Sequence, residues 1–270
     1  MGLIIFGGIN LARFCSLYSS SSGNSTYLGM AEAGVLVDVG VSYKKLKEAS
    51  DFQGIDLESV KGVFITHEHS DHVKGLRTFL SKHKVPVFSS VSTLETLLSK
   101  DCIPAGCKCI SIDGEEELCG ISVRSFHTSH DTPESMGYKF LLPDERQISV
   151  CTDLGYMSDE VFEGIRKSDL VLIESNHDID MLRCGPYPFE LKKRIMSDKG
   201  HLSNEVCAET VAKLLSTGTT RFVLGHLSHE NNTPDKAYAE TFAKLDMAGA
   251  RINIDYTLTV AGDKNKMIRL

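Results

Sequence analysis

No hydrophobic run in the sequence is long enough to cross a bilayer, which takes about 20 apolar residues. The apolar stretch MGLIIFGGINLA, residues 1–12, also lacks the basic region that precedes the apolar part of a secretory signal. We therefore expect no insertion into a membrane. Residues 1–12 are expected to be an N-terminal extension ahead of a strand that begins near Arg13.

The sequence also lacks an excess of positive charge. Its 36 Asp and Glu residues outnumber 29 Lys and Arg residues, which gives a formal net charge of −7. Proteins that coat nucleic acid without regard to sequence present an extended basic face. The composition argues against that class, so any polyanion must be bound locally.

The eight cysteines form no paired CxxC sets, and no secretory signal accompanies them. Zinc ribbons require such pairs, and disulfide frameworks belong mainly to secreted proteins. We therefore expect reduced thiols in a cytoplasmic protein.

Neither a linker rich in Pro and Ser nor a repeat of fixed period interrupts the chain, so one domain over residues 1–270 is the economical interpretation. Strand-like runs such as GVLVDVG and DLVLIES occur together with helical patterns such as HVKGLRTFLSKH and NEVCAETVAKLLS. Hairpin-like pairs dominate the first half, and strand-helix alternation dominates the second. This mixture predicts an α/β (α+β) fold with two packed sheets and helices outside them.

The segment THEHSDHVKG, residues 66–75, places His67, His69, Asp71 and His72 within six positions after the strand-like run GVFIT. Ligands at i and i+2 converge where a strand gives way to a tight loop, and Asp71 with His72 can face a second point nearby. The spacing suits two metal ions better than one zinc closed by four protein ligands. A histidine-rich surface turn is the alternative, and so dense a set of ligand-type side chains argues against it.

The pattern His67-x-His69-x-Asp71-His72 resembles the defining motif of the metallo-β-lactamase-fold hydrolases. The resemblance implies a four-layer αββα sandwich and a fuller set of ligands, each of which has a match in this chain. It assigns to one metal ion His67, His69 and His130, to the other Asp71, His72 and His226, and to a bridge between them Asp153.

Two histidine pairs in this ligand set require a choice. His130 is preferred to His127 because an acidic residue and a turn follow it, whereas His127 is expected to be packed on a strand. His226 directly follows the strand-like run FVLG, where a rigid element can aim it, and is preferred to His229. His83 is expected to be a surface histidine without a role.

Two divalent cations carry four positive charges, of which Asp71, Asp153 and a bridging hydroxide cancel three, so the predicted centre attracts an anion. Such a pair lowers the pKa of water toward neutrality. Mixed nitrogen and oxygen ligands are compatible with Mn, Zn or Fe. Asp38 is predicted to hydrogen-bond a ligand or its loop from behind, and with Asp71 and His201 it completes the predicted catalytic residues.

Further segments resemble the YycJ branch of the superfamily, also called WalJ or VicX, across nearly the whole chain from Arg13 on: SLYSSSSGNSTYL, ESNHDIDMLRCGPYPFELKKRI, SDKGHLSNEVCAET and GHLSHENNTP. The resemblance implies a cytoplasmic bacterial dinuclear phosphodiesterase with 5′-exonuclease activity on DNA and a part in repair. Hydroxide would attack phosphorus. His201 resembles the histidine that protonates the leaving oxygen in superfamily nucleases, and Ser203 or Asn204 can cap the helix that follows.

These segments also offer contacts for DNA, as a single strand or a duplex end. The predicted contacts are polar or basic side chains near the rim of the site: Ser22, Asn24, His177, Lys192, Lys193 and Arg194. The serine-rich turn has hydroxyls and free backbone N–H groups that can grip a phosphate, although its residues are also good hairpin formers. The basic run can position a strand without reading its bases, or it can be a solvated face.

A metallo-hydrolase of a small ester, thioester or lactone is the alternative function, because the same metal core supports it and the fold does not choose a substrate. A non-catalytic partner and iron-based redox chemistry are weaker alternatives. The segment between Asp153 and His226 leaves no room for the nucleic-acid clamp of the β-CASP branch, so processing of long RNA is not expected.

Overall fold

The computed structural model describes residues 11–262 and 265–270. Its strands form two sheets of seven strands each. The first sheet has the spatial order β14 (Ile268–Arg269), β1 (Arg13–Ser20), β2 (Gly23–Gly29), β3 (Gly34–Val37), β4 (Val60–Phe64), β5 (Val87–Ser89) and β6 (Cys109–Ser111).

The second sheet is drawn mainly from the later part of the chain. Its spatial order is β13 (Thr257–Val260), β12 (Arg221–Gly225), β11 (Leu170–Glu174), β10 (Gln147–Cys151), β9 (Met136–Leu141), β8 (Ile121–His127) and β7 (Glu115–Leu118). Strands β10, β11 and β12 run parallel, as do β3 and β4 in the first sheet.

Helices cover the outer face of each sheet. Those of the first half are α1 (Tyr43–Gln53), α2 (Ser70–Val73), α3 (Leu76–His83) and α4 (Val91–Ser99). Those of the second half are α5 (Asp159–Ile165), α6 (Ile179–Cys184), α7 (Phe189–Ile195), α8 (Asn204–Ser216) and α9 (Pro234–Met247). A short 3-10 turn, Leu57–Ser59, precedes β4.

Alternating side chains along the strands build the core in layers. In β11, Leu170 and Leu172 pack between the two sheets, whereas Val171 and Ile173 pack under the helices. Helices α1, α3 and α4 bury apolar side chains on the first sheet, and α5, α8 and α9 do so on the second. This order of layers confirms the predicted αββα sandwich.

Of two local predictions, one is confirmed and the other is wrong. The strand expected near Arg13 begins there. The pattern HVKGLRTFLSKH, expected to be one helix, is divided into α2 and α3, because the N–H of Gly75 donates to the carbonyl oxygen of Val39 at 2.8 Å and not to the preceding helical turn.

The organisation as one domain stays a prediction. Ala12, inside the expected extension, is buried and donates its N–H to Asp144 Oδ2 at 2.9 Å. Residues 1–10 lie outside the described residues. Among those that are described, no helix is long and apolar enough to span a membrane.

Phe64 joins the two sheets, and its truncation tests the inter-sheet core. Its ring stacks on Phe88 at 4.6 Å and meets Phe140 of the facing sheet edge-on at 5.3 Å. Phe64→Ala should lower the free energy of unfolding by about 3–5 kcal/mol, because it removes buried area and leaves a cavity. Phe52→Ala, at a ring that is 79% exposed, should stay within about 0.5 kcal/mol of the parent. Urea unfolding measures both, and equal losses would contradict this core.

Candidate metal centre

The site lies where the carboxyl ends of parallel strands from both sheets meet, the usual place for ligands in sheets of this kind. Asp38 follows β3, and His67 lies in the loop after β4. Asp153 follows β10, Glu174 ends β11, and His226 directly follows β12. Separate strands therefore deliver polar side chains to one edge, and Asp71 and His72 join them from the first turn of α2.

The seven predicted ligands converge there. Their ligand atoms fall within 4.8 Å of one another in overlapping groups: His67, His69 and His130; Asp71, His72 and His226; His67, His72 and Asp153. Asp153 lies between the first two groups. Its Oδ2 is 3.3 Å from His72 Nε2, and its Oδ1 is 3.5 Å from His226 Nε2 and 3.7 Å from His130 Nε2. The assignment of these residues as ligands stays a prediction.

Orphaned polar atoms test whether the group fits a metal ion. His67 Nε2, His226 Nε2 and Asp153 Oδ2 are buried and have no hydrogen-bond partner among the described residues. Buried polar atoms without partners are rare in folded proteins. Imidazole nitrogens and carboxylate oxygens are suitable ligands for divalent cations, so the donor set fits such ions.

The electrostatics of the cluster favour added positive charge. Burial lowers the pKa of His226, but Asp153, Asp71 and Glu174 outweigh this effect and raise it to about 10. Burial likewise lowers the pKa of His72, while Asp153 and Asp38 hold it well above the ordinary value. The carboxylates thus draw protons onto these two histidines, where a divalent cation would satisfy the same negative charge.

Asp38 hydrogen-bonds a candidate ligand from behind, in the position that the sequence predicted. Its side chain is buried and accepts hydrogen bonds from Thr66 N and Thr66 Oγ1, both at 2.9 Å. Its Oδ2 also lies 2.7 Å from His72 Nδ1. Because Nδ1 is engaged in this way, the opposite nitrogen of His72 faces Asp71 and Asp153. Asp38 therefore orients His72.

Glu174 is the functional residue that the sequence interpretation missed. It is fully buried, and its Oε1 lies 2.7 Å from His226 Nδ1 and 2.8 Å from His201 Nδ1. Its Oε2 accepts backbone N–H groups from Leu154 and Leu202 at 3.1 Å. Burial raises the pKa of Glu174, but His201 and His226 outweigh this and hold it at about 2. An acidic residue inside the apolar run LVLIE was the available signal.

The backbone around the site is strained where it delivers side chains. Asp38, Asp153 and His226 have φ values of 61°, 59° and 55°. This left-handed region of backbone conformation is unfavourable for residues other than glycine. Residues with such φ values often lie at functional sites. Close packing adds a further constraint at Gly40, where a Cβ would lie 1.6 Å from the carbonyl oxygen of Asp71.

Three other histidines, His83, His127 and His229, are outside the candidate metal groups. His127 was expected to be packed, but it is exposed and contacts Glu160 at 3.1 Å. His229 is exposed and contacts Ser22. The expectation of a surface position for His83 is wrong, because its side chain is 4% exposed and stacks on Phe79 at 4.5 Å.

The serine-rich turn lies at the rim of the site, but its backbone is not free to bind a ligand in the way the sequence predicted. Its backbone N–H groups are engaged: Ser20 N bonds to Asn24 Oδ1, Ser21 N to Leu227 O and Ser22 N to Ser20 Oγ. The prediction that free backbone N–H groups of this turn grip a phosphate is therefore wrong. Asn24 instead lies in β2, with Nδ2 at 3.1 Å from His72 Nε2 and 3.5 Å from Asp71 Oδ2.

The other predicted DNA contacts occupy different environments. His177 is buried, which lowers its pKa to about 4, and its Nδ1 has no partner among the described residues. Lys192 donates to the carbonyl oxygen of Arg183 at 2.8 Å, and Lys193 is exposed on the same helix. Arg194 forms an ion pair with Asp131.

A cavity of about 180 Å³ opens beside the cluster. Its lining includes Ser21, His130, Tyr187, Arg194, Lys199 and His201. Ser203 caps α8 by accepting from Val206 N at 3.3 Å, which confirms one of the two predicted caps. His201 lies just before α8 and lines the cavity together with Arg194 and Lys199.

Neutralising Glu174 tests its support of the cluster. Glu174→Gln removes the negative charge and leaves one amide oxygen for donors that now share two carboxylate oxygens, so metal affinity should fall by about 10–100-fold. Glu209→Gln, in a surface pair with Lys244, should leave the affinity unchanged. Zn²⁺ titration against a chromophoric chelator measures both variants. Parental affinity in the Glu174 variant would contradict the role described.

Comparisons with known proteins agree with this geometry. The family model of the Beta-lactamase superfamily domain (Lactamase_B_2) matches residues 34–227. Exodeoxyribonuclease YycJ of Bacillus anthracis is 38% identical over 241 residues, which cover 88% of this chain and 90% of that protein. Exodeoxyribonuclease WalJ of Streptococcus pneumoniae serotype 2 (strain D39) is 35% identical over 250 residues, 90% of this chain and 92% of that protein.

A solved structure supports the fold independently. The metallo-beta-lactamase fold protein YhfI from Bacillus subtilis aligns with a TM-score of 0.73 at 13% identity, over 96% of this chain and 99% of that one. Because both sheets, the loops at their shared edge and the sequence relatives agree, the chain belongs to the beta-lactamase superfamily, in its YycJ/WalJ branch.

Proposed function

We propose that this protein is a dinuclear metal-dependent phosphodiesterase that acts as a 5′-exonuclease on DNA. The observation that carries the proposal is the pair of three-residue groups that meet at Asp153, beside a cavity with basic and titratable side chains. The names of the two exodeoxyribonuclease relatives support DNA as the substrate. A cytoplasmic location and a part in DNA repair remain predictions.

The residues divide into holding and reacting roles. His67, His69 and His130 would hold one divalent ion, and Asp71, His72 and His226 the second, with Asp153 shared. When bound there, divalent ions supply Lewis-acid stabilisation of the phosphate charge and activate water for attack on phosphorus. The choice among Mn, Zn and Fe stays open, because the ligand types suit all three.

His201 is the proposed proton donor. Its Nδ1 is engaged with Glu174 at 2.8 Å, which leaves Nε2 as the ring nitrogen that can give a proton to the leaving oxygen. Burial lowers the pKa of His201, but the Glu174 carboxylate outweighs this and raises it above the ordinary value. The raised pKa favours the protonated ring beside the cavity, which is the form that a general acid needs.

The cavity favours a strand end. Its volume of about 180 Å³ is small, which suits the end of a single strand better than a long stretch of duplex. Lys199 in its lining and Lys192 and Lys193 on α7 can neutralise phosphates that lead into it. Ser22 is exposed, and its hydroxyl can donate to a phosphate oxygen. The amide of Asn24 lies 3.1 Å from His72 Nε2, so it is proposed to contact a phosphate that reaches the cluster itself. His177 is buried, bridges to Ser203 and is proposed to hold its loop.

The first experiment is digestion of 5′-labelled DNA. The purified protein with Mn²⁺ should release labelled nucleotides from the end, and EDTA or His67→Ala should abolish release, because both remove the metal centre. Covalently closed circular DNA is the control and should remain intact. If no metal dependence of cleavage is seen, or if a panel of esters, thioesters and lactones is turned over far faster, the nuclease proposal fails.

The role of His201 is tested by the choice of leaving group. His201→Gln should lower kcat on DNA by about 10²–10⁴-fold, because general acid catalysis is lost. The same variant should retain most activity on bis(p-nitrophenyl) phosphate, whose leaving group needs no proton. Metal content should be measured alongside. Equal losses on both substrates at parental metal content would assign His201 a role other than proton donation.

A further inference from the structure

Asp131 lies against the metal groups from outside. It directly follows His130, and its Oδ1 is 3.2 Å from His130 Nε2 and 3.6 Å from His69 Nε2. This Oδ1 is buried and has no hydrogen-bond partner among the described residues. Its second oxygen, Oδ2, forms the ion pair with Arg194 of α7. A carboxylate so placed requires a donor on its inner side.

His130 does not supply that donor. Its Nδ1 lies 3.2 Å from the carbonyl oxygen of Gly200, which accepts a proton carried on Nδ1. In this tautomer Nε2 carries no proton and is the nitrogen that faces the cluster. The other imidazole nitrogen that faces Asp131 Oδ1 is Nε2 of His69.

His69 has the complementary arrangement. Its Nδ1 is the inward nitrogen, 3.4 Å from His130 Nε2, and its ring lies edge-on to that of His67 at 4.6 Å. Nδ1 can bind a cation only when the ring proton is on Nε2. At 3.6 Å the Asp131 contact is longer than a hydrogen bond, yet its charge favours a proton on that nitrogen.

Arg194 fixes Asp131 from the other side. Helix α7 has no buried residue, and its exposed Phe189 and Lys193 point away from the core. Arg194 instead reaches inward to Asp131 and lines the cavity. Asp131 thus links the basic helix to the metal groups.

We propose that Asp131 is a positioning residue of the metal centre, which fixes the ring proton and orientation of His69, and that Arg194 acts on the centre through Asp131. The inference rests on the metal centre of the proposed function, not on its nuclease activity. It gives Arg194 a role distinct from the neighbouring lysines, which remain candidates for phosphate contacts. Carboxylates behind metal-binding histidines have this effect in general.

Metal affinity provides the test, with Zn²⁺ alone as the probe and a chromophoric chelator as competitor. Asp131→Ala should weaken the affected Zn²⁺ site by about 10–100-fold. Asp131→Asn keeps the size of the side chain and should show a smaller loss in the same direction. Thermal unfolding of both metal-free variants identifies any that fails to fold, in which case the other decides. Parental affinity in a folded Asp131 variant would overturn the proposal.

A double-variant cycle tests the route from Arg194. Arg194→Gln should weaken Zn²⁺ binding by about two- to fivefold, in keeping with a partly exposed ion pair, and should add nothing in the Asp131→Ala background. Arg166→Gln removes the same group from a pair with Glu163 on α5 and should leave the affinity unchanged. An equal loss from Arg194→Gln in both backgrounds would show that Arg194 does not act through Asp131.

Nitrogen chemical shifts of the His69 ring give a second readout. In the Zn²⁺-loaded parent, Nε2 should be protonated and Nδ1 metal-bound, whereas Asp131→Ala should show broadening or a mixture of tautomers. Spectra identical to those of the parent would count against the proposal. The outcome is separable from the nuclease assay, because a protein whose Zn²⁺ affinity depends on Asp131 and that leaves DNA intact would refute only the proposed function.

Discussion

The compensation of buried negative charge is the constraint on which the rest of the site depends. Asp38, Asp153 and Glu174 are each at most 3% exposed and lie at one edge of the sandwich. Buried carboxylates are costly unless they are paired and hydrogen-bonded. Histidines, backbone N–H groups and the Thr66 hydroxyl supply that compensation on the protein side. The unpartnered Oδ2 of Asp153 marks the point where a cation completes it.

The strain in the backbone follows from the same constraint. Left-handed conformations at Asp38, Asp153 and His226 cost of order 1–3 kcal/mol each. Each turns the chain sharply at the end of a parallel strand, so that a functional side chain faces its counterparts instead of the solvent. The large layered core of the sandwich provides the stability that offsets this cost.

The architecture and the meeting of the seven candidate ligands are predicted by the resemblance of a local motif to a known family, and local signals agree with it. The motif from His67 to His72 is compact, and Asp153 and His226 follow apolar strands that aim them. Glu174 was missed because it is the last residue of a strand whose other members are apolar. Contacts such as that of Asp131 with Arg194 join distant segments, and no local pattern encodes them. The burial of His83 likewise depends on Tyr43, which belongs to a different helix.

The two sheets are also joined directly at the mouth of the site. Ser20 forms an isolated bridge with Leu227, Ser21 N donates to the carbonyl oxygen of Leu227, and Ser19 Oγ accepts from His226 N. One edge of the ligand shell is therefore assembled from residues more than two hundred positions apart in sequence. Loop closure over such distances is slow and entropically costly. The complete ligand shell therefore requires both halves to be docked, and a nascent chain that lacks its last third, and with it His226, is unable to form that shell.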